Sequence, residues 1–370
     1  MEYIMTEEET DILSLYGVPG VGARIYARLT ARFGSAAAVF RASKKELMLI
    51  DGIGPNLAGN ILNHDRKSYV RDQKQRMEKT GAMCITRTSE NYPPLLAAFL
   101  SAPPILFVRG DPQTLKKTSV AFVGTRKPSP HGVHMTRKLV AEAVNTGLCV
   151  VSGMAIGIDS TAHRAALDNG GVTVAVFGCG VDIIYPSINR QLSRDIMKSG
   201  CLVSHFAMGT ACSPGNFPAR NAIIVGLSLG TVVVEAPKKS GALITADLTL
   251  KARRPLFTVP GNAENPACEG TNNLLTRGAY PISNIGSVLS RLGKQVPDQI
   301  ARNSPVVMST KPVPAGLAGE ILKTLSAEPL HIEVICRTLG KTVSEILTEL
   351  TMLEIEGFIH QRPGKIFEKI

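Results

Sequence analysis

The chain of 370 residues is 44% apolar and 19% charged, with a formal net charge of +11; it is long enough for two or three domains and too apolar to be disordered. No run of about eighteen apolar residues occurs, and the acidic start MEYIMTEEETD lacks the basic-then-apolar order of a signal peptide, so a cytoplasmic protein without membrane contact is expected. Seven cysteines stand singly with no CxxC, which suggests neither a disulfide framework nor a zinc site and reads most simply as buried, reduced thiols; no metal is expected.

Residues 10–80 read as helical and repeat one pattern, GVPGVGARIYARLTARFG at 17–34 and IDGIGPNLAGNIL at 50–62. Each copy puts Gly-x-Gly in a tight turn before a helix, the form of a helix-hairpin-helix element. Gly20, Gly22, Gly52 and Gly54 leave backbone N–H groups at a helix N-terminus, where the dipole favours a DNA phosphate. They form a secondary DNA-binding set in a SAM-like helical domain, residues 1–80. A small bundle used for protein contacts fits the same pattern.

From residue 119 short apolar runs alternate with helical stretches: SVAFVG, LCVVSGMA, VTVAVFGCG, CLVSHF, TVVVEA and PLFTVPG. Continuous Val/Ile/Leu-rich strands between helices predict a Rossmann-like, doubly wound α/β domain with a mostly parallel sheet, residues 81–290. Residues 86–290 also hold 19 Lys+Arg against 11 Asp+Glu, which is +8 of the +11. A polyanionic partner is favoured, on a surface assembled by folding.

Residues 291–316 carry prolines and no periodicity, and read as a linker. Residues 317–370 read as three helices and a hairpin around Pro363-Gly364, a winged-helix-like domain. Its third helix bears Glu345, Glu349, Glu354 and Glu356 and no basic residue, so a partner-binding or structural role is favoured over major-groove insertion.

Ligands of doubly wound sheets bind beyond the C-terminal strand ends. There Gly124 turns the chain, and Thr125 and Arg126 project over the edge. The glycines of SGMAIGIDSTAHRAAL, 152–167, are expected to free N–H groups as a phosphate cradle. Ser240 and Gly241 open another helix, and Arg220-Asn221 stands at the mouth of the apolar run AIIVGL. A desolvated arginine there needs an anion, which is either a bound phosphate or a structural carboxylate or carbonyl partner. No nucleophile–base pair is evident. GKT at 340–342 lacks the leading glycine of a P-loop, and Gly-Cys-Gly-Val-Asp-Ile at 178–183 breaks the dinucleotide fingerprint, so no cofactor is expected.

The series GTR, VSGMAIGIDSTAHRAAL, FGCGVDIIYP, FPARN, VVEAPKKSGALITA, VPG and GTNNLLTRGA resembles, in order and spacing over about 200 residues, the DNA-processing DprA (Smf) family. The resemblance implies a binder of single-stranded DNA in natural transformation that loads the recombinase RecA, displacing or bypassing single-strand-binding protein. It further implies a homodimer through the Rossmann-like domain and no catalytic turnover. By motif, Gly124, Thr125, Arg126, Ser152, Gly153, Gly157, Phe217, Arg220, Asn221, Ser240 and Gly241 are the DNA-binding residues. The chain departs from the family pattern at Ala222, Ile156 and Ser187, where basic residues are common, and at His205, where an acid is usual.

Only 5% of residues are aromatic and none is tryptophan, so stacking platforms are scarce and binding is expected to rest on phosphates. Two other readings share this core. Phosphoribohydrolase-like enzymes carry PGGxGTxxE, whereas here Glu235 precedes the glycine of EAPKKSGALITA and no acid follows the threonine. A recombination scaffold with weak DNA contacts accords with the missing basic residues.

Overall fold

The computed structural model describes residues 5–99, 102–297, 300, 316–325, 329–355, 358–362 and 364–369. The chain forms two compact units, 1–305 and 306–370. Most of the expected linker, 298–299 and 301–315, lies outside the described residues, as do Pro363 and Glu356.

The first unit begins with six helices: α1 (Glu7–Tyr16), α2 (Ala23–Phe33), α3 (Ala36–Val39), α4 (Lys44–Met48), α5 (Pro55–Leu62) and α6 (Arg66–Thr80). Thr6 with Glu9 and Ser43 with Glu46 form capping boxes that start α1 and α4. By contrast α2 and α5 start at Gly22 and Gly54, with no side chain on their first amides. Gly20 (φ 95°) and Gly52 (φ 87°) make the two turns in the left-handed region. The hairpins brace each other: Leu57 lies against Gly20 and Ile25 against Gly52. Asn60 Nδ2 donates to the Pro19 carbonyl at 3.1 Å, and Arg28 pairs with Asp51 at 2.8 Å.

The sheet follows as β1 (Met83–Thr86), α7 (Pro94–Ala97), β2 (Ile105–Gly110), β3 (Ser119–Val123), α8 (Pro130–Asn145), β4 (Cys149–Ser152), α9 (Ile158–Asp168), β5 (Thr173–Val176), α10 (Arg190–Ser199) and β6 (Cys201–Ser204). It continues through α11 (Asn216–Leu227), β7 (Thr231–Val233), α12 (Gly241–Lys251), β8 (Leu256–Thr258), α13 (Glu269–Thr276), β9 (Tyr280–Pro281) and α14 (Ile285–Leu292). The nine strands lie in the order β1-β2-β6-β5-β4-β3-β7-β8-β9. Strands β6 through β9 are mutually parallel, and β2 and β1 extend the sheet antiparallel, with Phe107 opposite Ser204. The architecture is α/β and mostly parallel, as the apolar runs predict.

Both faces are covered. Leu139 and Val140 of α8, Ala162 of α9 and Val288 of α14 pack with Phe122 and Val150, while Ile223 and Ile224 of α11 and Ala246 of α12 pack with Val123 and Val151. The helical bundle is not separate from the sheet: Leu13, Leu29, Leu47 and Ile61 share one core with Phe107, Phe177 and Ile196. Gln73 ties the two, donating to the Met208 carbonyl at 3.1 Å and accepting from its amide at 2.9 Å. The chain steps outward from β3 to β6 and then returns to β7 on the other side of β3, so the topological switch point lies between β3 and β7.

In the second unit α15 (Leu317–Thr324), β10 (Leu330–His331), α16 (Ile332–Leu339), α17 (Val343–Ile355), β11 (Ile359–Arg362) and β12 (Ile366–Lys369) form a winged helix. Its core holds Ile321, Ile335, Leu350 and Phe367. Beyond the expected hairpin, β10 pairs with β12 to make a third strand. Among the described residues no helix is long and apolar enough to cross a membrane.

Candidate nucleic-acid interface

Two recesses open at the C-terminal strand ends. The larger, about 640 Å³, lies at the switch point and is lined by Gly124, Thr125, Asn221, Lys239, Ser240 and Gly241, among others. The smaller, about 50 Å³, is bounded by Gly153, Ile156, Gly178, Cys179, Tyr185 and Cys212. Arg126, Ala155, Phe217 and Arg220 line both and form the wall between them.

FPARN, expected at a strand end, forms the first turns of α11, and AIIVGL is helix. Because α11 is buried between the sheet, α7 and α12, it lacks an amphipathic period and reads like a buried strand. This placement drives Arg220 inward, to 6% exposure. Its Nη1 donates to the carbonyls of Val176, at 2.9 Å, and Gly153, and its Nε to Asn221 Oδ1 at 3.0 Å. Nη2 makes no hydrogen bond among the described residues. Arg220 is therefore both a structural brace and a lining group of each recess. Burial lowers its pKa, Asp159 opposes that shift and Arg126 adds to it; a guanidinium stays charged throughout.

Arg126 is exposed, with its guanidinium 5.4 Å from the Phe217 ring centroid, and that of Arg220 lies 5.6 Å from the same centroid. One half-buried ring thus orients two cations at the wall. Lys127 and Lys239 stand exposed on the larger recess. The helices α11 and α12 carry no acid in their first turns, so their positive ends add to this field. Ser240 caps α12, accepting from the Ala242 amide at 3.3 Å, and Gly241 is its first residue.

The loop after β4 departs from the expected phosphate cradle. Asp159 Oδ2 accepts from the amides of Gly153 (3.1 Å) and Ala155 (3.3 Å), and the Ile158 amide donates to the Thr125 carbonyl at 3.1 Å. These amides are satisfied within the protein. Burial raises the Asp159 pKa, while Arg220 and the two amides hold it down. Ser152 is fully buried with its hydroxyl on the Phe122 carbonyl at 2.6 Å, and neither it nor Gly157 lines a recess. The structure brings together Gly124, Thr125, Arg126, Gly153, Phe217, Arg220, Asn221, Ser240 and Gly241; Ser152 and Gly157 support them from behind.

Other features of the site lie outside the expected set of DNA-binding residues. Met154 sits at φ 61°, held by Asn189 Nδ2 on its carbonyl at 2.8 Å; a non-glycine residue there stores about 1–3 kcal/mol of strain. Ile156 and Tyr185 are 51% and 47% exposed on the smaller recess. Burial pushes the Cys179 thiol up to about 12 and raises that of Cys212, so neither supplies a thiolate at neutral pH. Both oxygens of Glu235 are taken, by the amide and hydroxyl of Ser129 at the start of α8.

The secondary set is placed in the two hairpins, where a side chain at Gly22 or Gly54 meets open space. Gly22→Asp with Gly54→Asp adds an N-cap carboxylate at each turn. Unchanged or slightly raised thermal stability with weakened duplex-DNA binding is the expected outcome. Unchanged duplex affinity in a gel-shift titration removes the hairpins from any DNA contact.

Residues 83–293 match the DNA recombination-mediator protein A family, and residues 308–365 match the DprA winged helix domain. Protein Smf of Synechocystis is 31% identical over 95% of this chain and 96% of that protein. Protein Smf of Escherichia coli is 34% identical over 85% of this chain and 84% of its own. The crystal structure of DprA from Streptococcus pneumoniae superposes with a TM-score of 0.66 at 28% identity, covering 78% of this chain and 98% of that one. DprA from Helicobacter pylori, described for its single-stranded DNA binding mode, gives 0.53 at 31% identity over 58% of this chain and 97% of its own. With the doubly wound core, the winged helix and the sequence all in agreement, the chain belongs to the DprA (Smf) family of DNA recombination mediators.

Proposed function

We propose that this protein holds single-stranded DNA by its phosphates at the switch-point recesses and hands the strand to a RecA-type recombinase on incoming DNA, in place of single-strand-binding protein. The observation that carries the reading is the wall of Arg126 and Arg220 over Phe217. Exposed Lys127 and Lys239 and the positive ends of α11 and α12 flank it. A fork of donors matches a phosphate, and the recess admits a flexible strand while excluding a duplex.

The division of labour follows the expected domains: 1–80 for duplex or junction contacts, 81–290 for the strand, and 317–370 for a partner. The protein works in the cytoplasm as a homodimer through the Rossmann-like domain. The Cys179 and Cys212 thiols are protonated and Glu235 is committed to Ser129, which supports binding without turnover and disfavours a phosphoribohydrolase-like reaction.

Titration of labelled oligo-dT and a matched duplex at several salt concentrations tests this. A salt-sensitive preference for the single strand is expected, and in Arg126→Ala the log–log salt slope should fall by about 0.7. Equal affinity for both DNAs, or an unchanged slope, leaves the scaffold reading. Loading is then read as a shortened lag of RecA ATP hydrolysis on DNA coated with single-strand-binding protein.

A further inference from the structure

We propose that the groove between α1 and α6 is a second contact for a DNA strand, a sequence-independent track for its phosphates. The inference rests on the DNA-binding reading above, but not on the sheet-edge residues, with which this groove shares none of its lining.

The cations of α6 divide into two kinds. Arg66 is paired with Asp11 and stacked 4.2 Å from the Phe40 ring centroid, and Arg76 is paired with Asp72 at 2.9 Å. Lys67, Arg71 and Lys74 are exposed and make no ion pair among the described residues. They recur at i, i+4 and i+7, which places them on one face of the helix. All three line an open groove of about 1030 Å³, with Glu78 at its end.

A buried polar group underlies the same groove. Ser14 of α1 lines the same groove, has 0% exposure, and its Oγ has no hydrogen-bond partner. At 0% exposure that hydroxyl is closed to solvent, so it adds polarity beneath the groove and makes no contact with an occupant.

Spacing favours a nucleic-acid strand. Seven residues of helix rise about 10 Å, the distance over which a strand at ~3.4 Å per phosphate presents about three charges. Three cations in a concave track suit one backbone edge. Contacts of this kind carry no base preference.

The test uses the full chain with Lys67→Ala/Arg71→Ala/Lys74→Ala, exposed helical positions where alanine keeps the helix. Binding is measured against a short oligo-dT that fills the sheet-edge recess alone and a long one that extends past it. The expected result is an unchanged melting temperature, unchanged affinity for the short strand, and a salt slope for the long strand lower by about 2.

An unchanged slope on the long strand overturns the proposal, as does an equal loss on both lengths. Loss of binding to a polyglutamate peptide with no change on DNA assigns the groove to an acidic protein instead, and also overturns it. Arg126→Ala runs alongside: if the wild-type chain binds neither oligomer, the sheet-edge reading fails; if it binds both and the triple variant matches it, only the α6 track fails.

Discussion

Arg220→Ala is expected to lose both strand affinity and stability, whereas Arg126→Ala loses affinity alone. Arg126 is exposed and, among the described residues, its guanidinium meets the Phe217 ring and makes no hydrogen bond or ion pair, so truncation leaves no buried partner there unpaired. Arg220 donates to the carbonyls of Gly153 and Val176 inside the sheet edge. Its removal leaves both carbonyls without that donor and takes away the charge that holds the Asp159 pKa down, and a buried polar group left unsatisfied costs about 1–3 kcal/mol. Gly153→Ala should reproduce the loss without touching the arginine. A β-carbon there would stand 2.1 Å from Arg220 Nη1 and 2.8 Å from Asp159 Oδ2, so the guanidinium must leave its seat. Urea denaturation beside oligo-dT anisotropy separates the three variants. A fully stable Arg220→Ala with wild-type affinity would show that neither role is real.

Stability is expected to fall steeply between pH 6.5 and about pH 3. His163 is fully buried, with Nδ1 2.7 Å from Thr173 Oγ1. That hydroxyl already donates to the Val150 carbonyl at 2.8 Å, so the ring is the donor and the neutral Nδ1–H tautomer is the one that fits. Burial, with the Arg220 charge behind it, lowers the His163 pKa to about 3, and burial lowers that of His205 to about 4. In the unfolded chain both take a proton near pH 6.5, while in the folded protein they refuse it until far lower. The unfolded state therefore binds more protons across this window, and stability rises with pH through it. The stabilisation is complete above pH 6.5 and is lost as pH falls, by roughly 5 kcal/mol for His163 and 3 for His205. Against a total of about 5–15 kcal/mol, that is a large fraction of the stability. Asp159, raised by burial, has the opposite sign and gains as pH falls, which softens the slope. His163→Gln removes one titration; urea midpoints at neutral pH and near pH 4.5 should lie closer together in it than in the wild type. An identical spread would acquit His163.

The fold was legible where both sheet faces are buried. β3 to β8 are uninterrupted apolar runs because helices cover them on either side, and such runs have few alternatives. β1, β2 and β9 escaped notice: β2 hides in a proline-rich stretch, and β9 is two residues, Tyr280–Pro281. α11 could not be told from a strand, since nothing on it faces solvent for long enough to show a period. At the site, Arg126 and Arg220 were readable as residue types that suit a phosphate, and Phe217 only through the family motif. Partnerships across the sheet were not, because the bond from Ser152 to Phe122 spans 30 residues and that from Arg220 to Gly153 spans 67. Asp159 turned an expected cradle of free amides into a closed loop, and no spacing rule announces which acid will do so.

Because Leu13, Leu29 and Leu47 share one core with Phe107 and Phe177, the helical bundle is not a tethered arm. It cannot swing out to capture DNA and return. The hairpin tips, the α6 face and the sheet-edge recesses sit at set separations, so on the proposed reading a bound strand would have to match their spacing in length and bend. Excising residues 1–80 would strip the cover from Phe107 and its neighbours and leave an adhesive apolar face, so an aggregated truncation would report lost packing and say nothing about DNA.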